Sequence, residues 1–120
     1  MTRMKVLIAE DTDSVRFALR LAVEFLGHEV VATAADGHEA LEQYKRVQPE
    51  VVLLDVRMPR MDGLTCASLL TRENPPARIG IVTGGRTTER QAREAGARGF
   101  VEKPFELRQL NDLILSVAAA

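Results

Sequence analysis

Short apolar runs alternate with longer mixed segments five times along the chain. The runs are Met4–Ala9, Glu29–Thr33, Val51–Leu54, Ile79–Val82 and Gly99–Val101. Val6-Leu7-Ile8 and Val51-Val52-Leu53-Leu54 are apolar without alternation. Parallel strands covered on both faces read this way, because neither side meets water.

The segments between them carry helical spacing. Asp13 is expected to cap the first helix, whose Val15, Ala18, Leu19, Ala22, Val23 and Leu26 repeat at helical intervals before Gly27 stops it. Asp36 with Glu39 resembles a capping box opening a second helix over Gly37–Arg46, and Pro49 separates that helix from the third strand. A third helix is predicted from about Asp62 to Glu73, ended by Asn74-Pro75-Pro76. The fourth, about Thr87–Ala95, is short and polar, and Gly96 closes it. The last follows Pro104, with Leu107, Leu110, Leu113, Ile114 and Val117 on one side. Alternating β and α units of this length predict an α/β fold: a parallel sheet, right-handed crossovers and helices on both faces. Ligands of such sheets sit beyond the carboxyl ends of the strands.

Composition narrows the picture. The 120 residues suit one domain, 1–120, and 46% hydrophobic with 28% charged residues is ordinary for a globular chain. A net charge of −1 offers no electrostatic reason to expect direct nucleic-acid binding. Cys66 is the only cysteine, which excludes an internal disulfide and a cysteine-based zinc cluster. No signal-peptide pattern follows Met1, and no apolar run is long enough for membrane insertion, so the cytoplasm is the expected location. His28 and His38 lack partners at metal-ligand spacing and are expected to be exposed, while Cys66 and Met61 are expected to be packing or surface residues.

Chemistry gathers at the predicted strand ends. The first strand delivers Glu10-Asp11, the third Asp55, the fourth Thr83 with Gly84-Gly85, and the fifth Lys103 with Pro104. Singly, each has an ordinary explanation: a solvated turn, a helix cap, a surface lysine. Independent caps need not fall together at the same ends of strands one, three, four and five. Carboxylates gathered closely repel unless a cation neutralises them, and oxygen ligands without His or Cys favour a hard ion such as Mg²⁺. A carboxylate can act as nucleophile toward a phosphoryl group, whose oxygens then need neutralising by metal, lysine and hydroxyl.

Several motifs make the likeness specific. They are Val6-Leu7-Ile8-Ala9-Glu10-Asp11, Asp55-Val56-Arg57-Met58-Pro59 with Asp62-Gly63, Val82-Thr83-Gly84, Gly96-Ala97-Arg98-Gly99-Phe100 and Lys103-Pro104-Phe105. With them the chain resembles response-regulator receiver domains of the chemotaxis-regulator type over essentially its whole length. That resemblance implies a flavodoxin-like (βα)5 three-layer sandwich with strand order 2-1-3-4-5. It implies that Asp55 is the phosphoacceptor, and that Mg²⁺ is held by Asp11, Asp55 and the backbone carbonyl of Arg57, with Glu10 acting through water. By the same resemblance, Thr83 bonds the phosphoryl oxygen, Lys103 pairs with the phosphoryl group, Thr83 and Phe100 form the switch, and the Lys103–Pro104 bond is cis. Phe100 also has a plainer reading as a core aromatic.

The implied role is that of a two-component phosphorelay protein. A histidine kinase or phosphotransfer protein donates the phosphoryl group. A downstream protein or a homodimer then reads the α4-β5-α5 surface. Two rivals differ in class: a docking module that works without phosphorylation, and a phosphatase-type enzyme. Many of the latter carry a second Asp two residues after the nucleophile, where this chain has Arg57. No separate substrate turnover is therefore expected. The Thr83–Lys103 spacing is shorter than in the chemotaxis-type pattern, and the shortening is expected after the fourth strand, where Gly84-Gly85 makes a flexible start. Gly85 and Arg57 stand at positions beside the pocket that tune phosphoryl lifetime in the family.

Overall fold

The computed structural model describes residues 3–119. Five strands alternate with five helices: β1 Lys5–Ala9, α1 Asp13–Phe25, β2 Glu29–Ala34, α2 Gly37–Val47, β3 Val51–Leu54, α3 Gly63–Glu73, β4 Ile79–Thr83, α4 Glu89–Glu94, β5 Gly99–Glu102 and α5 Leu107–Ala119. All neighbouring strands pair in parallel, in the order β2-β1-β3-β4-β5. This is the flavodoxin-like α/β sandwich that the sequence and its resemblance imply.

Strand alternation sorts the core into two layers. Leu7, Ala9, Val52, Leu54, Ile79 and Ile81 face one way and pack with Ala40 of α2, Cys66, Ala67 and Leu70 of α3, and Ala92 of α4. Val6, Ile8, Val51, Leu53 and Val82 face the other way, against Leu19 and Val23 of α1 and Leu110, Leu113, Ile114 and Val117 of α5. Every residue of β3 is buried, which accounts for its unalternating sequence. Gly80 and Gly99 are partners across β4 and β5. A Cβ on Gly99 would stand 2.6 Å from Leu113 Cδ1 and 2.7 Å from Val117 Cγ2, so the bare backbone lets α5 lie close to the sheet.

Helix ends depart from expectation in instructive ways. Asp13 does not cap α1: Thr12 takes the N-cap position without a side-chain bond, and Asp13 pairs with Arg16 at 2.5 Å. Asp36 caps α2 by accepting from the Glu39 N–H at 2.8 Å, but Glu39 reaches back to the Ala35 N–H, one residue before the capping-box position. This helix runs one residue beyond Arg46 and stops at Gln48, whose φ of 46° leaves the helical region just before Pro49. Helix α4 is shorter than predicted at both ends: the Thr88–Gln91 capping box sets its start, and Ala95 is its C-cap rather than its last residue. His28 is not exposed. It is buried, accepting the Met4 N–H at Nδ1 (3.0 Å) and meeting Asn111 Oδ1 through Nε2 at 3.0 Å. His38 is exposed as expected, and Cys66 is a packing residue whose thiol burial pushes up to about 12.

The apolar pattern of α1 exceeds its buried stripe. Val15 and Ala18 are exposed, while Phe17, Leu21 and Phe25, at four-residue intervals, remain 62%, 50% and 78% exposed. Among the described residues, no helix is long and apolar enough to cross a membrane.

Candidate functional site

The carboxyl ends of β1, β3, β4 and β5 converge because the ladders continue past the strands. The Glu10 N–H reaches Ala34 O at 2.9 Å, the Asp55 N–H reaches Ala9 O at 3.0 Å, and the Lys103 N–H reaches Thr83 O at 2.8 Å. Those bonds fix where each side chain leaves the sheet. Carboxylate oxygens of Glu10, Asp11 and Asp55 lie within 4.8 Å of one another, with Glu10 and Asp55 buried and Asp11 exposed. Lys103 Nζ crosses the group, 2.7 Å from Glu10 Oε1 and 3.6 Å from Asp55 Oδ1. The lysine thus makes its short contact with Glu10, and its distance to Asp55 is that of an ion pair without a hydrogen bond.

The electrostatics follow from this placement. Burial first, then the neighbouring Glu10 charge, raises the Asp55 carboxyl above its usual range, against the pull of Lys103. Burial also pushes Glu10 up, but the Lys103 ammonium and the Thr12 N–H (3.0 Å) bind its charged form and hold it below the ordinary value. Arg16 Nη1 donates to the Glu10 carbonyl at 2.8 Å and so braces the acidic loop from α1. The donor set is oxygen only, and its mutual repulsion is of the kind a small hard cation relieves. The residues therefore fit Mg²⁺.

Thr83 is the last residue of β4 and is buried, its Oγ1 accepting the Gly85 N–H at 3.2 Å. The hydroxyl hydrogen is thereby left for another acceptor. Arg57, exposed in the β3–α3 loop, passes its side chain over Gly85: a Cβ there would lie 3.3 Å from Arg57 Nε. Phe100 sits on β5 opposite Ile81, half-buried against the α2–α4 side of the core. It also lines a surface groove of about 640 Å³ with Gly85, Thr87, Val101 and Pro104. The Lys103–Pro104 bond is cis. Glu10, Asp11, Asp55 and Lys103 therefore meet directly, Thr83 stands at their edge, and Phe100 lies on the flank.

Two features had no counterpart in the sequence reading. An apolar groove of about 270 Å³, bordered by Val15, Ala18, Ala22, Phe105 and Leu107, runs up to Lys103 itself. Its signal, the four-residue spacing of apolar residues on α1, was readable. The second is an ion pair between Arg60 and Asp36, 24 residues apart, for which no local pattern gives warning.

Residues 6–115 match the family described as response regulator receiver domain. The chain is 34% identical over 104 residues to the chemotaxis protein CheY of Thermotoga maritima, covering 85% of this chain and 87% of that protein. It is 36% identical over 117 residues to the transcriptional regulatory protein PdtaR of Mycobacterium tuberculosis, covering 97% of this chain but only 56% of the relative. A solved CheX–CheY–BeF3–Mg²⁺ complex from Borrelia burgdorferi contains a chain that superposes with a TM-score of 0.88 at 30% identity, covering 94% of this chain and 87% of that one.

Proposed function

The chain belongs to the response regulator receiver domain family of two-component systems, and from that premise we propose that Asp55 accepts a phosphoryl group from the phosphohistidine of a histidine kinase or phosphotransfer protein. The observation that carries the proposal is the Glu10–Asp11–Asp55 cluster with Lys103 laid across it. Asp11, Asp55 and the Arg57 backbone carbonyl would hold Mg²⁺, with Glu10 acting through water. When bound, the ion neutralises the carboxylates and the phosphoryl oxygens.

The residues divide the work. An Asp55 carboxylate oxygen attacks phosphorus, the phosphorus–nitrogen bond to the donor imidazole breaks, and the electron pair leaves on that nitrogen, which takes a proton from solvent. Attack needs the carboxylate form of Asp55, which burial and Glu10 disfavour and Lys103 supports. Lys103, already 3.6 Å from Asp55 Oδ1, follows the new negative charge. The Thr83 hydroxyl donates its free hydrogen to a phosphoryl oxygen, and Phe100 moves into the space that Thr83 leaves. The groove beside Phe100 then changes shape on the α4-β5-α5 face, where a downstream protein or a second copy reads the state. The donor approaches over the opposite flank, where the apolar groove of α1 leads to Lys103. Receiver domains are signalling modules, so the chemistry is confined to the chain's own phosphorylation and dephosphorylation. The setting is cytoplasmic, with no direct contact to nucleic acid.

The test is incubation with acetyl phosphate and MgCl2, followed by intact mass. The expected result is a gain of one phosphoryl group that requires Mg²⁺ and is absent in Asp55→Asn. Equal uptake by Asp55→Asn would refute the assignment. Intact partner binding without any uptake would favour the docking module.

A further inference from the structure

The β3–α3 loop, residues 55–62, holds Asp55 at one end and the N-cap of α3 at the other. Its backbone is tied at two places. The Gly63 N–H returns to Val56 O at 2.9 Å, and the Gly37 N–H at the start of α2 reaches Met61 O at 3.1 Å. Gly37 has no room for anything larger, since a Cβ would stand 2.6 Å from that same oxygen. Cys66 on α3 also donates to the Gly37 carbonyl at 3.6 Å, so α2, the loop and α3 form one packed unit.

Arg60 stands between these ties in a tight turn closed by Met61 N–H to Pro59 O at 2.7 Å, and its φ is 66°. A residue with a Cβ is strained in that region, Asn less than most, and only Gly sits there without cost. Its guanidinium, on a side chain 73% exposed, nevertheless bends to meet the Asp36 carboxylate, only 4% exposed, at 2.5 Å. Asp36 cannot yield, because its other oxygen caps α2 through the Glu39 N–H. A rigid anion thus holds a strained turn three residues beyond Arg57.

We propose that Asp36 and Arg60 are positioning residues: their ion pair clasps the β3–α3 loop to α2 and so sets the backbone that binds Mg²⁺. The inference rests on the metal-binding reading above. Arg60→Asn separates it from simple charge effects by sign. Removing a cation should strengthen Mg²⁺ binding by Coulomb attraction alone, whereas releasing the clasp should weaken it.

The experiment is Mg²⁺ titration of the ¹⁵N-labelled full chain, followed by backbone chemical shifts. It compares wild type, Arg60→Asn, Asp36→Asn and the double variant. Asn at 60 tolerates positive φ, and Asn at 36 keeps the cap acceptor. Each single variant is expected to weaken Mg²⁺ binding on the order of tenfold, and the double variant no further than the weaker single. Amide exchange at Arg57, Met58, Arg60 and Met61 without metal should quicken in all three, while the urea midpoint of Arg60→Asn falls modestly, because the buried Asp36 carboxylate loses its exposed cation. Normal Mg²⁺ affinity in Arg60→Asn, unchanged loop exchange, or a double variant showing the product of both losses would overturn the clasp alone. Absence of Mg²⁺ shifts in wild type would sink the pocket reading and the clasp with it.

Discussion

Replacing Gly63 by alanine sets helix propensity against a steric contact. Gly63 is the first residue of α3, and propensity favours Ala there by up to about 1 kcal/mol. The new Cβ, however, would stand 2.0 Å from the Asp55 carbonyl oxygen, 2.8 Å from its carbonyl carbon and 3.0 Å from Val56 Cα. All three are backbone atoms, so no side chain can rotate away. Restoring a tolerable carbon–oxygen distance of about 3.3 Å needs a shift of more than 1 Å. That shift also breaks the Gly63 N–H bond to Val56 O, worth about 1 kcal/mol. With overpacking at about 1–3 kcal/mol, the contact wins, and Gly63→Ala is expected to lose a net ~1–3 kcal/mol in urea denaturation.

The same displacement moves Asp55. A misplacement of about 1 Å in a reacting group costs roughly 100-fold in rate, so the initial rate of Mg²⁺-dependent uptake from acetyl phosphate should fall by that order. Gly84→Ala is the control. Its Cβ would meet only Lys103 side-chain atoms at 3.5 and 3.6 Å, which is ordinary contact, and its stability should stay within about 1 kcal/mol of wild type. A Gly63→Ala protein as stable as wild type, or one that takes up phosphoryl groups at the wild-type rate, would refute the reasoning.

The remaining predictions concern charge and hidden polar contacts. Asp55→Asn should raise the urea midpoint at neutral pH, because burial and Glu10 disfavour the Asp55 carboxylate. A raised folded-state pKa destabilises the fold above that pKa, so the gain should shrink as pH falls through the carboxylate range and vanish below the ordinary value of 3.8; a gain that persists in acid would contradict it. Lys103→Met leaves the buried Glu10 without its cation and should cost about 1–3 kcal/mol, discounted because the lysine is 27% exposed, and uptake should fall with it. His28→Ala strands the Met4 N–H and the Asn111 amide, for about 2–4 kcal/mol across the two contacts, with phosphoryl uptake unchanged; a loss of uptake would tie His28 to the pocket instead.

What could be read from the sequence follows the reach of each interaction. Buried parallel strands announce themselves in four or five consecutive residues, and strand ends then fix where Glu10, Asp11, Asp55, Thr83 and Lys103 must emerge. Convergence was therefore legible, but partnership was not. That Lys103 takes Glu10 rather than Asp55 as its near partner depends on a contact 93 residues apart. His28 was misjudged for the same reason, since Asn111, which completes its burial, lies 83 residues away on α5. Cap positions missed by a residue because Thr12 and Asp13 offer similar chemistry, and only the chain's entry angle chooses between them. Arg60 could not be found at all, since nothing in its neighbours says that an arginine there is strained.

The segment after Thr83 carries little stabilisation of its own. Helix α4 has six residues, too few to be stable without help, and it is held by the Thr88–Gln91 box, the exposed Glu89–Arg93 and Arg90–Glu94 pairs and one buried side chain, Ala92. Exposed pairs of that kind contribute little. Thr83, whose hydroxyl accepts the Gly85 N–H, leads into the Gly84-Gly85 bend, and residues 86–88 connect that bend to α4. Drawing that hydroxyl toward a phosphoryl group on Asp55 would pull on the Gly85 tie, and α4 has the least packing with which to resist. Of the described helices α4 has the fewest buried residues, and it borders the groove beside Phe100, so a pull transmitted through Gly85 would meet little resistance there.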